Sequence, residues 1–156
     1  MGKPVKRRYS KRGGIQERPT VAYGSKSLFA EKHISPAKAI SHISKGLPFS
    51  ELEHLRTEID EPLEALARHL SISRSTLQRR KAERRLSPQE SDRLMRLWRL
   101  FRQATGLFGN PVKARAWLKF PQYGLGGAVP LEYARTEIGA REVENLLGRI
   151  KFSVYS

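Results

Sequence analysis

The sequence predicts an all-α protein, on three observations. Apolar residues recur with the period of an amphipathic helix, as at positions 63, 66, 67 and 70. Helix-opening pairs, Ser35-Pro36 and Ser87-Pro88, stand directly before helical stretches. Glycines that follow such stretches mark where helices end. A chain of 156 residues has room for one domain or two small helical ones.

Composition limits the possible functions. The sequence has no cysteine, which excludes disulfides, thiol catalysis and zinc-finger chemistry. It has no apolar run of membrane-spanning length, and we expect a cytoplasmic protein without a membrane partner. The formal net charge is +15, and residues 1–86 hold 19 Lys and Arg against 9 Asp and Glu. Such an excess is typical of a polyanion binder, although RNA or an acidic membrane surface would also attract it.

Residues 1–26 form a basic segment without periodicity, in which Glu17 is the single acid. We predict a flexible arm. Two interpretations stay open: a solvated extension, or an arm along DNA phosphates that adds affinity but no sequence choice.

Two short helices are predicted next. The first spans Pro36 to Lys45, with Ser35 as N-cap and Gly46 as its stop. The segment from Ser50 to Glu53 then has the spacing of a capping box. We expect it to open a second helix, which turns three apolar residues inward: Leu52, Leu55 and Ile59.

Residues 60–85 have the pattern of a helix, a tight turn and a second, basic helix. Asp60 can cap the first helix, and Ser73, at the end of the turn, fits as N-cap of the second, which buries Leu77. Two helices joined in this way are typical of a helix-turn-helix. We predict that five side chains of the second helix contact DNA: Arg74, Ser75, Thr76, Gln78 and Arg79. The alternative is an ordinary helical hairpin with a solvated basic face.

The segment from Ser87 to Glu90 has a second capping-box pattern and opens the longest predicted helix, which ends near Gly106 or Gly109. Its apolar surface is wider than one core contact needs, so the helix is central to the fold or packs on another subunit. The residues assigned to a dimer contact are Leu94, Met95, Trp98, Leu100 and Phe101. Four arginines repeat every three residues on the other side and are interpreted as a solvated face: Arg93, Arg96, Arg99 and Arg102.

The last part of the chain is also predicted to be helical. Asn110-Pro111 restarts a helix. Residues 121–129, PQYGLGGAV, have neither P-loop nor dinucleotide-binding spacing, and we interpret them as a tight structural loop. Thr136 precedes a last helix with an apolar face formed by Val143, Leu146, Leu147 and Ile150. The sequence ends in FSVYS, an apolar segment that we expect to dock in its own subunit or in a partner.

Patterns for catalysis or metal binding are missing from the sequence. His33, His42, His54 and His69 are scattered without metal-ligand spacing, and no serine-nucleophile motif is present. We therefore expect neither an enzyme nor a bound cofactor or metal ion.

Several motifs occur together in this chain. They are KGLPFSELEHLR, LSISRSTLQRR, RRLSPQESDRLMRL, A-x-x-W-L (Ala114 to Leu118), L-G-G-x-x-P (Leu125 to Pro130) and T-E-x-G-x-x-x-V (Thr136 to Val143). In this combination the chain resembles the Xre/MbcA/ParS antitoxins from Gly46 to Ser156. The resemblance implies an Xre-like helix-turn-helix DNA-binding domain, assigned to residues 27–86. It also implies a small helical toxin-binding domain, assigned to residues 87–156.

The resemblance further implies a function. Such antitoxins of type II toxin–antitoxin systems bind operator DNA as repressors of their own operon, usually as homodimers in a larger complex with the toxin. They block a cognate RES-domain toxin, an NAD⁺-consuming enzyme, with the C-terminal helix and tail. The residues that correspond here are Arg149, Lys151, Val154, Tyr155 and Ser156. Ser153 stands where the family often has glycine, which implies a stiffer hinge. The competing hypothesis is a stand-alone helix-turn-helix transcriptional regulator without a toxin partner.

Overall fold

A computed structural model of the protein describes residues 27–154, and within this range the predicted all-α fold class is confirmed. The helices are α1 (Pro36–Lys45), α2 (Phe49–Ile59), α3 (Leu63–His69), α4 (Arg74–Glu83), α5 (Pro88–Phe108), α6 (Pro111–Lys119), α7 (Pro130–Tyr133) and α8 (Glu137–Val154). Short 3₁₀ turns occur at Leu28–Ala30 and Tyr123–Leu125. The predicted arm, residues 1–26, and the last two tail residues, Tyr155 and Ser156, lie outside the described residues.

Helix α5 is the centre of the fold, because α1, α2, α6 and α8 all pack on it. The predicted capping box at its start is confirmed. The Ser87 hydroxyl accepts a hydrogen bond from the Glu90 N–H at 3.2 Å, and the Glu90 carboxylate accepts one from the Ser87 N–H at 2.8 Å. The helix ends at Gly109, whose φ of 66° lies in the left-handed region that favours glycine.

Helix α1 has the predicted bounds, and the Ser35 hydroxyl caps it by accepting a hydrogen bond from the Lys38 N–H at 3.3 Å. Gly46 ends it with a φ of 78°, and a Cβ there would overlap the Leu86 carbonyl oxygen. This close approach lets the Leu86 N–H donate to the Leu47 carbonyl at 2.9 Å. Only glycine therefore fits between α1 and the segment that leads into α5.

Two predicted helix starts are wrong. Asp60 adopts a left-handed φ of 57° and ends α2, while α3 begins after Pro62. Ser50 lies inside α2, which begins at Phe49 without a side-chain cap. The Glu51 carboxylate, inside α2, is buried and accepts hydrogen bonds from the Ser27 hydroxyl at 2.7 Å and the Leu28 N–H at 2.8 Å. It therefore fixes the segment before α1 to α2.

The interpretation of the four α5 arginines as a solvated face holds only for Arg99, which is exposed. The other three are half-buried, and each of the four binds another part of the chain. Arg93 donates to the Leu70 carbonyl at 3.2 Å. Arg96 pairs with Glu137 of α8 at 2.8 Å, and Arg99 pairs with Glu144 of the same helix at 2.6 Å. Arg102 donates to the carbonyls of residues 31 and 32, both at 2.7 Å. The arginines thus hold α3, α8 and the segment before α1 around α5.

The C-terminal helices follow the predicted order. The Asn110 side chain caps α6 by accepting from the Val112 N–H at 2.7 Å, and the Thr136 hydroxyl accepts from the Gly139 N–H at 3.0 Å at the start of α8. A Cβ on Gly139 would overlap the Tyr133 carbonyl oxygen, so α7 and α8 approach closely only because this residue is glycine. Helix α8 lies on α5 through its predicted apolar face, of which Val143, Leu146 and Leu147 are buried and Ile150 is half-buried.

Candidate functional sites

The first candidate site is the exposed face of α4. Its N-cap is the predicted Ser73, whose hydroxyl accepts a hydrogen bond from the Thr76 N–H at 3.2 Å. Leu77, 1% exposed, holds the opposite face of the helix in the core. Of the five residues predicted to contact DNA, four are exposed, and the fifth, Thr76, is half-buried with its hydroxyl bonded to that of Ser73 at 2.9 Å. The four exposed residues therefore lie on the solvent side of α4, and the contact of all five with DNA stays a prediction.

The cations of α4 fall into two groups. Arg80 turns toward the protein, where its guanidinium binds Glu90 and Glu83, each at 2.8 Å. The hydrogen bonds that Arg80 donates to these carboxylates, the one to Glu90 first, raise the pKa of Arg80 above its ordinary value. Within residues 27–154, Arg74 and Arg79 take part in no ion pair and remain at the surface for an anion such as a phosphate. Arg74 stands at the helix N-terminus, where an anion is favoured.

The second candidate site is the end of α8. The helix extends through Ser153 to Val154, so the segment before the last two residues is helical. Arg149 and Lys151, predicted to contact a toxin, are exposed. Tyr155 and Ser156 belong to the same prediction and lie outside the described residues. Because the buried face of α8 is fixed on α5, its exposed end has a defined position relative to the rest of the fold.

Polar contacts also join α6 and α7 to the ends of α2 and α3. Arg115 of α6 donates to the Glu58 carbonyl at 2.6 Å, and Lys119 donates to the Asp60 carbonyl at 2.6 Å. These bonds satisfy carbonyl groups at the C-terminus of α2, where cations are favoured. His69, at the end of α3, lies 3.9 Å from Glu132 of α7. Burial lowers the pKa of His69 below its ordinary value, although Glu132 acts in the opposite direction.

The residues assigned to a dimer contact are mostly used inside the protomer. Four of the five are at most 7% exposed: Leu94, Trp98, Leu100 and Phe101. Their apolar area is already removed from water, because α5 is central to the fold. Met95 is half-buried and lines a groove of about 630 Å³ beside α1. The assignment therefore needs correction, since Met95 alone among the five is accessible to a second subunit.

The glycine-rich loop is a structural turn, as predicted. The N–H groups of Gly126, Gly127 and Ala128 donate to carbonyls within the loop at 2.9 to 3.3 Å. The Gln122 side chain donates to the carbonyls of Trp117 and Phe120 at 2.9 and 3.0 Å. A phosphate cradle needs free backbone N–H groups, and here they are already bonded.

Between positions 27 and 154, no group of three or more His, Cys, Asp or Glu is placed to hold a metal ion. In the same part of the chain, no helix has the length and hydropathy needed to cross a bilayer.

The fold and these two sites define a helix-turn-helix protein with a second helical unit built on the same central helix. A family model of the antitoxin Xre-like helix-turn-helix domain matches residues 38–99, and a model of the antitoxin Xre/MbcA/ParS C-terminal toxin-binding domain matches residues 103–152. An "Antitoxin Xre" of Yersinia enterocolitica is 32% identical over 143 residues, which cover 88% of this chain and 97% of the relative. The chain therefore belongs to the Xre antitoxin family.

Two further relatives match shorter parts of the chain. An "Antitoxin Xre" of Photorhabdus laumondii is 38% identical over 84 residues, 53% of this chain and 57% of the relative. An "Antitoxin Xre" of Pseudomonas putida is 35% identical over 65 residues, 42% of this chain and 41% of the relative.

Proposed function

We propose that this antitoxin binds and blocks a RES-domain, NAD⁺-consuming toxin in the cytoplasm and represses its own operon by binding operator DNA. In this proposal the protein is a type II antitoxin without catalytic activity of its own. The inhibitory contact is made by the exposed end of α8 and the residues after it. The operator is read by the exposed face of α4.

The observation that carries the inhibitory role is the support of α8 inside the matched toxin-binding region. Its buried face packs on α5, and salt bridges from α5 reach Glu137 and Glu144. Arg149 and Lys151 then project from a helix that is already fixed in place. Such a pre-ordered element blocks an enzyme entrance with little further loss of conformational entropy.

The inhibitory role is tested by co-expression with the neighbouring reading frame. Growth and cellular NAD⁺ are compared for full-length antitoxin and for a form that lacks Tyr155 and Ser156. Rescue by the full-length protein alone supports blocking by the tail, whereas rescue by both forms moves inhibition to the body of the domain. If the neighbouring product is harmless alone, the stand-alone regulator becomes the better explanation. Operator binding by both forms, measured in parallel, controls for folding of the truncated protein.

The repressor role rests on the arrangement of α4. Its exposed side chains include Arg74, Gln78 and Arg79, which carry the donors that base edges and phosphates accept. Gel shifts on the promoter of the operon test this role at several salt concentrations. Deletion of residues 1–26 should reduce the salt dependence with little change in sequence preference, because phosphate contacts add affinity without sequence choice. If the full-length protein does not prefer its own promoter over unrelated DNA, autoregulation is excluded.

The protein is further proposed to act as a homodimer within the toxin complex. The surface that supports this is the groove beside α1, where Ile40 is 63% exposed and Met95 lies opposite α1. Light scattering of the wild type and of Ile40→Asp tests it. A monomeric mass for both proteins would contradict the proposal.

A further inference from the structure

The described part of the protein has an apolar edge that the sequence analysis did not identify. We define the apolar edge as Val112, Ala116, Phe120 and Tyr123. The first three are spaced by four residues along α6 and its C-terminal residue, so they follow one side of that helix. Val112 is 62% exposed, Phe120 66% and Tyr123 100%. A contiguous apolar surface of this kind is a mark of an interaction site, whereas isolated exposed apolar residues are ordinary.

The exposed apolar residues are not spread evenly over the chain. Seven large hydrophobic residues within residues 27–154 are exposed, and six of them lie between positions 112 and 152. Ile40 is the exception. This part of the chain is the one that the toxin-binding family model matches, residues 103–152. The concentration of apolar surface in one matched region favours a protein partner for that region.

Hydrogen bonds fix the backbone at the aromatic end of the apolar edge. The Gln122 amide bonds the carbonyls of Trp117 and Phe120, and the Gln122 backbone forms an isolated bridge with Ala128. Rigid aromatic side chains are common anchors of interfaces, because they bury a large area at a small cost in conformational entropy. Phe120 and Tyr123 therefore project from a fixed backbone, so that binding has to order only their side chains.

The apolar edge also lies beside the proposed inhibitory helix. The turn at Tyr123–Leu125 packs on α8, and a Cβ on Gly124 would lie 2.6 Å from Leu146 Cδ1. Leu146 is eight residues before Val154, which is about 12 Å along the helix axis. A standard interface covers about 800 Å² on each partner, a patch roughly 30 Å across, and so spans both features.

We infer that the apolar edge is a second docking surface for the same toxin that α8 and the tail block. The inference rests on the proposed function and names a further contact for it. The matching surface of the toxin would be an apolar pocket with an acidic rim. Lys113 is exposed beside Val112 and pairs with no acid in the described chain, and the net charge of +15 also favours an acidic partner.

The test is a binding titration of the purified product of the neighbouring reading frame against full-length antitoxin variants. Phe120→Ser and Tyr123→Ser should each weaken binding about tenfold, and the double variant about 100-fold, as expected for aromatic anchors. Ile138→Ser is the matched control. Ile138 is 79% exposed and lies in the same matched region, but at the N-terminal end of α8, outside the apolar edge. Its affinity should equal that of the wild type. Thermal unfolding checks each variant, and Tyr123→Ser, at a fully exposed position, should leave the fold intact.

The outcomes separate this inference from the proposed function. If the wild type binds and truncation of the tail abolishes inhibition, but the Phe120 and Tyr123 variants bind as the wild type does, the inference is wrong and the proposed function stands. If the double variant keeps its toxin affinity but loses dimer mass in light scattering, the edge belongs to a second copy of this chain, and the inference is again wrong. If the wild type does not bind the product at all, the proposed function fails and the inference fails with it.

Discussion

Two carboxylates bind the same guanidinium, and the structure predicts that they differ greatly in their effect on stability. The Glu90 side chain is 9% exposed and accepts hydrogen bonds from Arg80 and from the Ser87 N–H, both at 2.8 Å. The Glu83 side chain is 48% exposed and meets Arg80 at 2.8 Å on the surface of α4. Glu90→Ala and Glu83→Ala therefore form a matched pair, in which burial and the capping box are the main differences.

The expected loss follows from the contacts. Removal of a helix cap costs about 1 kcal/mol, and removal of a hydrogen bond between charged groups costs about 1.5 to 3 kcal/mol. Glu90→Ala should thus lower the free energy of unfolding by about 2–4 kcal/mol, and Glu83→Ala by about 0.2–1 kcal/mol. For a chain of this length, these values correspond to a Tm loss of about 4–16 °C for Glu90→Ala and less than about 4 °C for Glu83→Ala.

The difference in stability between the Glu90→Ala and Glu83→Ala variants should also depend on pH. Burial acts to raise the pKa of Glu90, but the hydrogen bond from the Ser87 N–H and the Arg80 guanidinium outweigh it and lower the pKa below its ordinary value. The unfolded chain therefore takes up this proton at a higher pH than the folded chain does. The stabilisation is complete above the ordinary pKa and disappears as the pH falls through the lower, folded value.

Urea unfolding followed by circular dichroism at about pH 7 and about pH 3 measures both effects. Glu90→Ala should have a clearly lower free energy of unfolding than Glu83→Ala at the higher pH. The difference between the two variants should become smaller at the lower pH. Equal losses of stability for the two variants at neutral pH, within about 0.5 kcal/mol, would contradict the argument from burial and capping.

Three further predictions concern buried backbone contacts and DNA. Gly139→Ala should destabilise the protein by about 2 kcal/mol or more in thermal unfolding, because its Cβ meets the carbonyl of the last α7 residue. Gly148→Ala, in the same helix with no atom within 4 Å of a new Cβ, should stabilise it by about 0.5–1 kcal/mol; a loss at both would contradict the steric argument. Ser91→Ala should cost about 1–3 kcal/mol in urea unfolding, because the fully buried hydroxyl accepts a backbone N–H at 2.7 Å, and an unchanged midpoint would show that this bond adds nothing. Arg74→Ala and Gln78→Ala should each weaken operator binding by about 1–3 kcal/mol in gel shifts, and wild-type affinity would remove that residue from the site.

Local features of the fold could be predicted from the sequence because their causes are local. The capping box at Ser87 and the cap at Ser73 depend on residues within one turn, and both are present. The wrong prediction for Asp60 shows that local sequence does not always decide the position of a helix end. Aspartate suits both a helix N-cap and a left-handed helix end, and the neighbouring sequence does not choose between them.

Other features depend on parts of the chain that sequence spacing does not bring together. The three-residue repeat of Arg96, Arg99 and Arg102 indicated a solvated face, but their partners lie in α8 and in the segment before α1. The apolar edge was not predicted from the sequence for a related reason. Phe120 and Tyr123 are aromatic residues of a kind often found in cores, and only the folded structure shows that they face solvent.

The length of helix α5 restricts how domains can be exchanged between relatives. The regions matched by the two family models end at residue 99 and begin at residue 103, and α5 continues through the gap between them. Insertion of one residue there would turn the C-terminal unit by about 100° and shift it by about 1.5 Å relative to α4. The arginine pairs that join α5 to α8 would then lose their register. A functional hybrid of two relatives therefore has to keep the number of residues in this helix, whatever sequences are joined.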